Sequence, residues 1–213
     1  LRYGWFMAGL THEARHPQST IIDAGFMYWA RTHNYRVHTW TVDDPNRIRE
    51  LREDGIEKEL AFPNAVLALF HYPDKAIRER VFRIYNEHIA DLQERSNGHF
   101  YGVGLINWWD PKGTRSTLAE LKALGLKTFL LPLNPGKDDE GNIYDFGARS
   151  MDAVWDEIED AGLPVSHHIG ETPPKTPCEH NSVVVGMMVN VDSFREQFAK
   201  YLFSGILDRH PSL

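Results

Sequence analysis

Phe100-Tyr101-Gly102-Val103-Gly104-Leu105-Ile106-Asn107-Trp108-Trp109-Asp110-Pro111 is the stretch whose reading decides the fold. From Phe100 to Trp109 it is mostly apolar or small and reads as a strand, and Asp110-Pro111 opens a turn. A helix over 116–124 follows, closed by Gly125. Lys127-Thr128-Phe129-Leu130-Leu131-Pro132-Leu133 is then a second strand. Strand, helix and strand joined by short glycine-closed turns make a parallel βαβ unit.

The same alternation extends in both directions. Upstream, Tyr35 to Val42 alternates β-branched and aromatic residues with polar ones and stops at Asp43-Asp44-Pro45-Asn46. A short helix carrying Ile48 and Leu51 ends at Gly55, and Glu59-Leu60-Ala61-Phe62-Pro63 reads as a strand. A long helix from Asp74 to Ser96 places Ile77, Val81, Ile84, Tyr85, Ile89 and Leu92 at helical spacing, with Asp74 as N-cap and Asn97-Gly98 as its end. Downstream come a Gly- and Asp-rich loop over 134–144, a helix over 150–161 closed by Gly162, and the strand Leu163-Pro164-Val165-Ser166-His167-His168. A Pro-rich loop over 170–181 precedes a last helix over 193–208 with Phe194, Phe198, Leu202 and Ile206 on one side.

Five strands in this order fit either most of a (β/α)8 barrel or a doubly wound open sheet. No GxGxxG or GxxxxGK[ST] follows any strand, and Gly102-Val103-Gly104 is a lone GxG inside one. That favours the barrel. A complete barrel takes about 250 residues, so the expectation is an α/β chain folded as an incomplete (β/α)8 TIM-type barrel, one domain over 1–213.

Composition excludes several classes. The 213 residues carry a net charge of −7, with 42% hydrophobic and 25% charged residues, and no Lys/Arg block. A nucleic-acid or anionic-membrane partner is not expected. No apolar run reaches the roughly 18 residues of a membrane span. The single cysteine, Cys178, allows no intrachain disulfide and favours the cytoplasm. The chain begins at Leu1 with no signal-peptide pattern, which points to a fragment.

In parallel α/β folds the site lies at the carboxyl ends of the strands. Three strands here end in polar or aromatic groups: Asn107-Trp108-Trp109-Asp110, Leu133-Asn134 and His167-His168. A neutral imidazole on a rigid strand end suits a divalent metal. Neighbours in a strand point to opposite faces, so one of the two histidines faces inward. His168, the more terminal, is the candidate ligand, and a hydrogen-bonded core or loop histidine is the competing reading. His167, Asn107, Trp109 and Asn134 are candidates to line a substrate pocket. His12, His16, His33 and His38 show no HxH or HExxH spacing, and His71, His88, His99 and His210 read as structural. Cys178 has no CxxC partner, His180 lies in the long loop, and no GxSxG elbow is present. No catalytic acid, base or nucleophile is assigned.

Several segments carry a family resemblance: Asp54 to Asn64, Tyr101 to Ile106, Leu121 to Lys127, Leu163 to His168, and Phe203-Ser204-Gly205-Ile206-Leu207-Asp208-Arg209-His210-Pro211-Ser212-Leu213. Over about 55–213 the chain resembles the amidohydrolase-related family that includes aminocarboxymuconate-semialdehyde decarboxylase and resorcylate decarboxylases. The resemblance implies a (β/α)8 barrel with one divalent metal, usually zinc. It implies hydrolysis or non-oxidative decarboxylation of a small carboxylate or aromatic substrate, with His168 at the position of the metal-binding histidine of the fifth strand. Two departures weaken it. Thr20-Ile21-Ile22-Asp23-Ala24 matches the family's first strand faintly, but Gly25-Phe26-Met27 stands where a histidine is wanted. The family's later histidine and last-strand aspartate would lie beyond Leu213.

Residues 1–57 are similar instead to the end of a glycerophosphodiester phosphodiesterase, through Tyr28-Trp29-Ala30-Arg31-Thr32-His33 and Val37-His38-Thr39-Trp40-Thr41-Val42. That family is also a (β/α)8 barrel, and Trp40 is the one position that carries over. The alternative function is therefore phosphoric diester hydrolysis, with the two resemblances meeting near 49–57. A divergent amidohydrolase, a recombined frame and a barrel chimera all fit this pattern. A third reading is no enzyme at all: an open barrel whose edges are covered in a homo-oligomer.

Overall fold

The computed structural model describes residues 58–169, 171 and 182–213, together with positions 14, 15, 32, 36, 37, 49, 50, 53, 55 and 56. The chain divides into two compact units, one of residues 1–62 and 91–102, the other of residues 63–90 and 103–213.

In the first unit β1 (Ala14–Arg15) and β2 (Arg36–Val37) pair in parallel. β3 (Glu59–Ala61) pairs in parallel with the start of β4 (Phe100–Leu105), Glu59 opposite Phe100 and Ala61 opposite Gly102. His99 is fully buried, its Nε2 3.1 Å from Oε2 of Glu59. The expected structural role of this histidine has a concrete form: a buried hydrogen bond to Glu59 at the foot of β3. The rest of the expected Tyr35–Val42 strand, the 20–27 strand, His12, His16, His33, His38, Trp40, Cys178 and His180 lie outside the described residues.

In the second unit the end of β4 pairs with β5 (Thr128–Leu130), and β5 pairs with β6 (Val165–Ser166), all in parallel. Helix α1 (Lys75–Arg95) begins in this unit, and α2 (Pro111–Ala123), α3 (Asp152–Ala161), α4 (Ser182–Phe203) and α5 (Ile206–Arg209) belong to it. Strand and helix alternate from β4 to α3, as the sequence pattern requires. Every residue of β5 is buried, the mark of a strand covered on both faces.

Four elements differ from their sequence expectation. Helix α2 begins at Pro111, not at Ser116. Asp110 is its N-cap, accepting from Gly113 N at 2.7 Å, and Pro111 occupies the first turn, where its missing N–H costs nothing. Gly113 is required in that turn, because a Cβ there would stand 2.2 Å from Nδ2 of Asn107. Helix α1 has its expected N-cap, Asp74, whose Oδ1 accepts from Ile77 N at 3.0 Å. Its buried stripe, however, runs through Arg78, Phe82, Asn86 and Ile89, while Ile77 and Ile84 are 46% and 57% exposed. The stripe turns because two polar side chains find backbone partners inside. Arg78 Nη2 donates to Tyr72 O at 2.6 Å. Asn86 donates to Leu105 O and accepts from Leu105 N, both at 2.8 Å, as a neighbouring strand would.

Helix α4 starts at Ser182 and stops at Phe203, and Gly205 at φ +78° separates it from α5. Its inward side carries Gln197, while Phe198 and Leu202 are exposed. β6 is only two residues long, so both histidines lie beyond its ladder.

The core of the second unit is aromatic and aliphatic. Phe70, Phe82 and Trp108 pack with ring centroids 5.3–5.9 Å apart. Trp155 Nε1 donates to Phe146 O at 2.8 Å beneath the contact between the two rings. At the carboxyl terminus Arg209 Nε meets Oδ1 of Asp152 at 2.9 Å. His210 is buried with Asp152, Asp156 and Glu159 between 3.3 and 3.7 Å away. Burial works against the charge on Asp152, but Arg209 and His210 prevail and hold its carboxyl below the usual range. His210 thus sits buried among the carboxylates of α3, and Arg209 ties this segment to the helix.

Candidate functional site

The carboxyl ends of β4, β5 and β6 all belong to the second unit. Beyond β4, Asn107 is 1% exposed. Its Oδ1 accepts from Trp109 N at 3.0 Å and Asp110 N at 3.1 Å, closing the turn that launches α2. Its amide also donates to Oε1 of Glu79, on the first turns of α1. Trp108 points into the core and donates from Nε1 to Pro135 O at 3.1 Å. Trp109 is half-buried and stacks under the guanidinium of Arg78, 4.4 Å from its ring centroid. Burial lowers the affinity of Arg78 for its proton, and the nearby Tyr144, Asp139 and Glu79 oppose that.

Beyond β5, Leu131 N still donates to Ser166 O at 3.0 Å, the last backbone contact to β6. The carbonyl of Leu131 then receives Nδ1–H of His167 at 2.7 Å. That fixes the tautomer, and Nε2 accepts from the hydroxyl of Tyr201 at 2.7 Å. Burial lowers the His167 pKa, against the pull of its bond to Leu131, which favours the neutral ring. Burial also pushes the Tyr201 hydroxyl up, keeping it a donor. Both nitrogens of His167 are therefore engaged by the protein.

His168 is half-buried. Its Nδ1–H donates to Ile169 O at 2.5 Å, which places the lone pair on Nε2. Burial lowers its pKa, so the neutral form that ligates metals is favoured. Asn134 is exposed, and its Oδ1 accepts from Gly136 N at 3.3 Å. The two sides of the face are joined through Trp108, Pro135, Asn134 and the segment of His168.

The joining residue is one that sequence reasoning missed. Oε2 of Glu171 accepts from Leu133 N at 2.8 Å and from Asn134 N at 3.1 Å. Oε1 is buried with no hydrogen-bond partner among the described residues. Burial pushes the carboxyl up to about 7, against the two N–H donors. The signal available was only its place, as the first acid after a strand that ends in histidine. Its folded-state pKa lies above the unfolded one, so the folded chain holds this proton more tightly. The contribution of this group to folding stability is then greatest below about pH 4.5 and declines as the pH rises to about 7. Glu171→Gln is expected to flatten that decline by up to about 3 kcal/mol, read by urea denaturation at a series of pH values. An unchanged slope would refute it.

A divalent metal is the group the sequence resemblance implies, and its fit to the residues present is partial. His168 offers one neutral imidazole. Among the described residues, no group of three or more His, Cys, Asp or Glu side chains comes together to complete a centre. Among those residues, too, no helix is long and apolar enough to cross a membrane.

Comparison with solved structures gives the fold. The 2,6-dihydroxybenzoate decarboxylase of Rhizobium aligns with a TM-score of 0.61 at 16% identity, over 95% of this chain and 65% of that one. A dihydroxybenzoic acid decarboxylase from Polaromonas, solved with manganese and 2-nitroresorcinol, gives 0.61 at 16% identity, over 94% and 61%. The 5-carboxyvanillate decarboxylase of Novosphingobium aromaticivorans, solved with manganese and a nitrobenzoic acid, gives 0.56 at 18% identity, over 80% and 48%. The chain thus spans 65% or less of the length of each of these decarboxylases. It has the fold of a partial (β/α)8 barrel. No curated protein matches the sequence. The similarity of residues 1–57 to a glycerophosphodiester phosphodiesterase finds no support, because the family model that fits the rest of the chain already fits from residue 22, through Phe26 to Glu57 and past the supposed junction. That model, described as amidohydrolase, matches residues 22–213, and the chain belongs to the amidohydrolase family.

Proposed function

We propose that this chain carries the β4–β6 sector of the active face of a metal-dependent enzyme that decarboxylates or hydrolyses a small aromatic carboxylate. The observation behind this reading is His168, an imidazole just past β6 in a stretch matched throughout by the amidohydrolase family. Decarboxylases of similar fold, solved with manganese and with nitro-substituted phenolic compounds, favour decarboxylation and an aromatic substrate. The metal is zinc or manganese, with His168 Nε2 as one ligand. The described residues do not complete its coordination.

The rest of the face binds and orients. Trp109 presents a half-buried indole for an aromatic ring to stack on. Asn107 holds the Trp109 turn in place, Asn134 offers an exposed amide, and His167 buttresses the His168 segment through Leu131 and Tyr201. A cytoplasmic location accords with a single cysteine.

Metal analysis tests the reading. Purified protein dialysed to equilibrium against manganese(II) or zinc(II) should retain one weakly held equivalent, because a single imidazole leaves most coordination positions to water. His168→Ala should weaken retention by about tenfold or more. Absence of retained metal, or retention indifferent to His168→Ala, would count against the proposal.

A further inference from the structure

We infer that Glu171 is a positioning residue, whose carboxylate continues the β5–β6 ladder by side chain and so fixes the segment carrying His168 against the turn carrying Asn134. The backbone ladder ends at the bond from Leu131 N to Ser166 O. The next residue on the β5 side, Pro132, has no N–H to offer, so it cannot carry the ladder onward. Side chains replace it. His167 takes the carbonyl of Leu131 at 2.7 Å. Glu171 then takes the next two donors, Leu133 N and Asn134 N, on a single oxygen at 2.8 and 3.1 Å. His168 lies between these two side-chain ties and is held from both sides. On the Asn134 side the turn is already set, by its own Oδ1 on Gly136 N and by the left-handed Gly136 at φ +81°.

The inference deepens the functional reading, because a position for His168 matters only if that ring has work to do. Its test does not depend on activity. Amide hydrogen exchange at Leu133 and Asn134 is measured by NMR in the full chain, in Glu171→Gln and in Glu171→Ala. In the wild type both amides should be protected. Glu171→Gln should keep that protection, because its side-chain carbonyl still accepts both N–H groups. Glu171→Ala should speed both amides by about tenfold, with β4 amides unchanged. The imidazole nitrogen signals of His168 should move in Glu171→Ala and stay in Glu171→Gln. Wild-type amides at 133 and 134 that exchange at random-coil rates would overturn the inference without need of a variant. So would protection or His168 signals unmoved by Glu171→Ala. Failure of manganese(II) retention, with these amides behaving as expected, would strike the functional reading and leave the tie standing.

Discussion

Trp108→Ala is expected to cost about 4 kcal/mol of folding stability. Trp108 is fully buried. Its ring meets Phe70 at 5.3 Å, Phe82 at 5.9 Å and Trp109 at 4.9 Å, and its indole N–H caps the Pro135 carbonyl. Truncation removes a fully buried indole from that cluster, leaves a cavity between α1 and the end of β4, and orphans a buried carbonyl. Trp108→Phe separates the two contributions. It fills most of the volume and loses the indole donor, so it should cost about 2 kcal/mol. Urea denaturation followed by far-ultraviolet circular dichroism reads both. A loss below about 1 kcal/mol for Trp108→Ala would mean that the aromatic cluster does not support the unit.

Asn86→Leu is expected to cost about 3 kcal/mol, although it replaces a polar residue in a helix with a good helix former of similar size. The side chain of Asn86 satisfies both the N–H and the C=O of Leu105. Leucine leaves both buried and unpaired, and the apolar area it adds offsets only part of that. Asn86→Asp should be as harmful at neutral pH, because a carboxylate cannot donate to Leu105 O. Asn86→Gln should be milder than either if its longer amide still reaches. The same denaturation series decides, and a neutral or stabilising Asn86→Leu would refute the assignment.

These two residues show what the sequence made legible. Strands β4 and β5 stand out because their apolar runs are bounded by glycine, proline and aspartate, and the helix between them because Gly125 closes it. The positions of Asn107, Trp109, Asn134 and the histidine pair follow from the rule that parallel strands present their carboxyl ends to a site. Asn86 could not be read in this way. Its reason for burial is a backbone partner nineteen residues away, and a polar residue on an amphipathic helix reads as solvent-facing. The start of α2 was hidden because Asp-Pro serves equally as a turn and as a cap with its first helical residue. Glu171 was hidden because its burial depends on how two loops meet. His167 and His168 are neighbours of identical chemistry, told apart only by which ring finds Leu131 and Tyr201.

Gly113 has a practical consequence for reshaping the mouth of the fold. Diversifying the turn after β4 is an obvious route to new substrates, since Trp109 sits there half-buried. Any library that also varies position 113 will be dominated by casualties, because even one methyl group at that point displaces the amide that moors the whole turn. Freezing the glycine while randomising the indole keeps the scaffold intact and confines the search to the variable that matters.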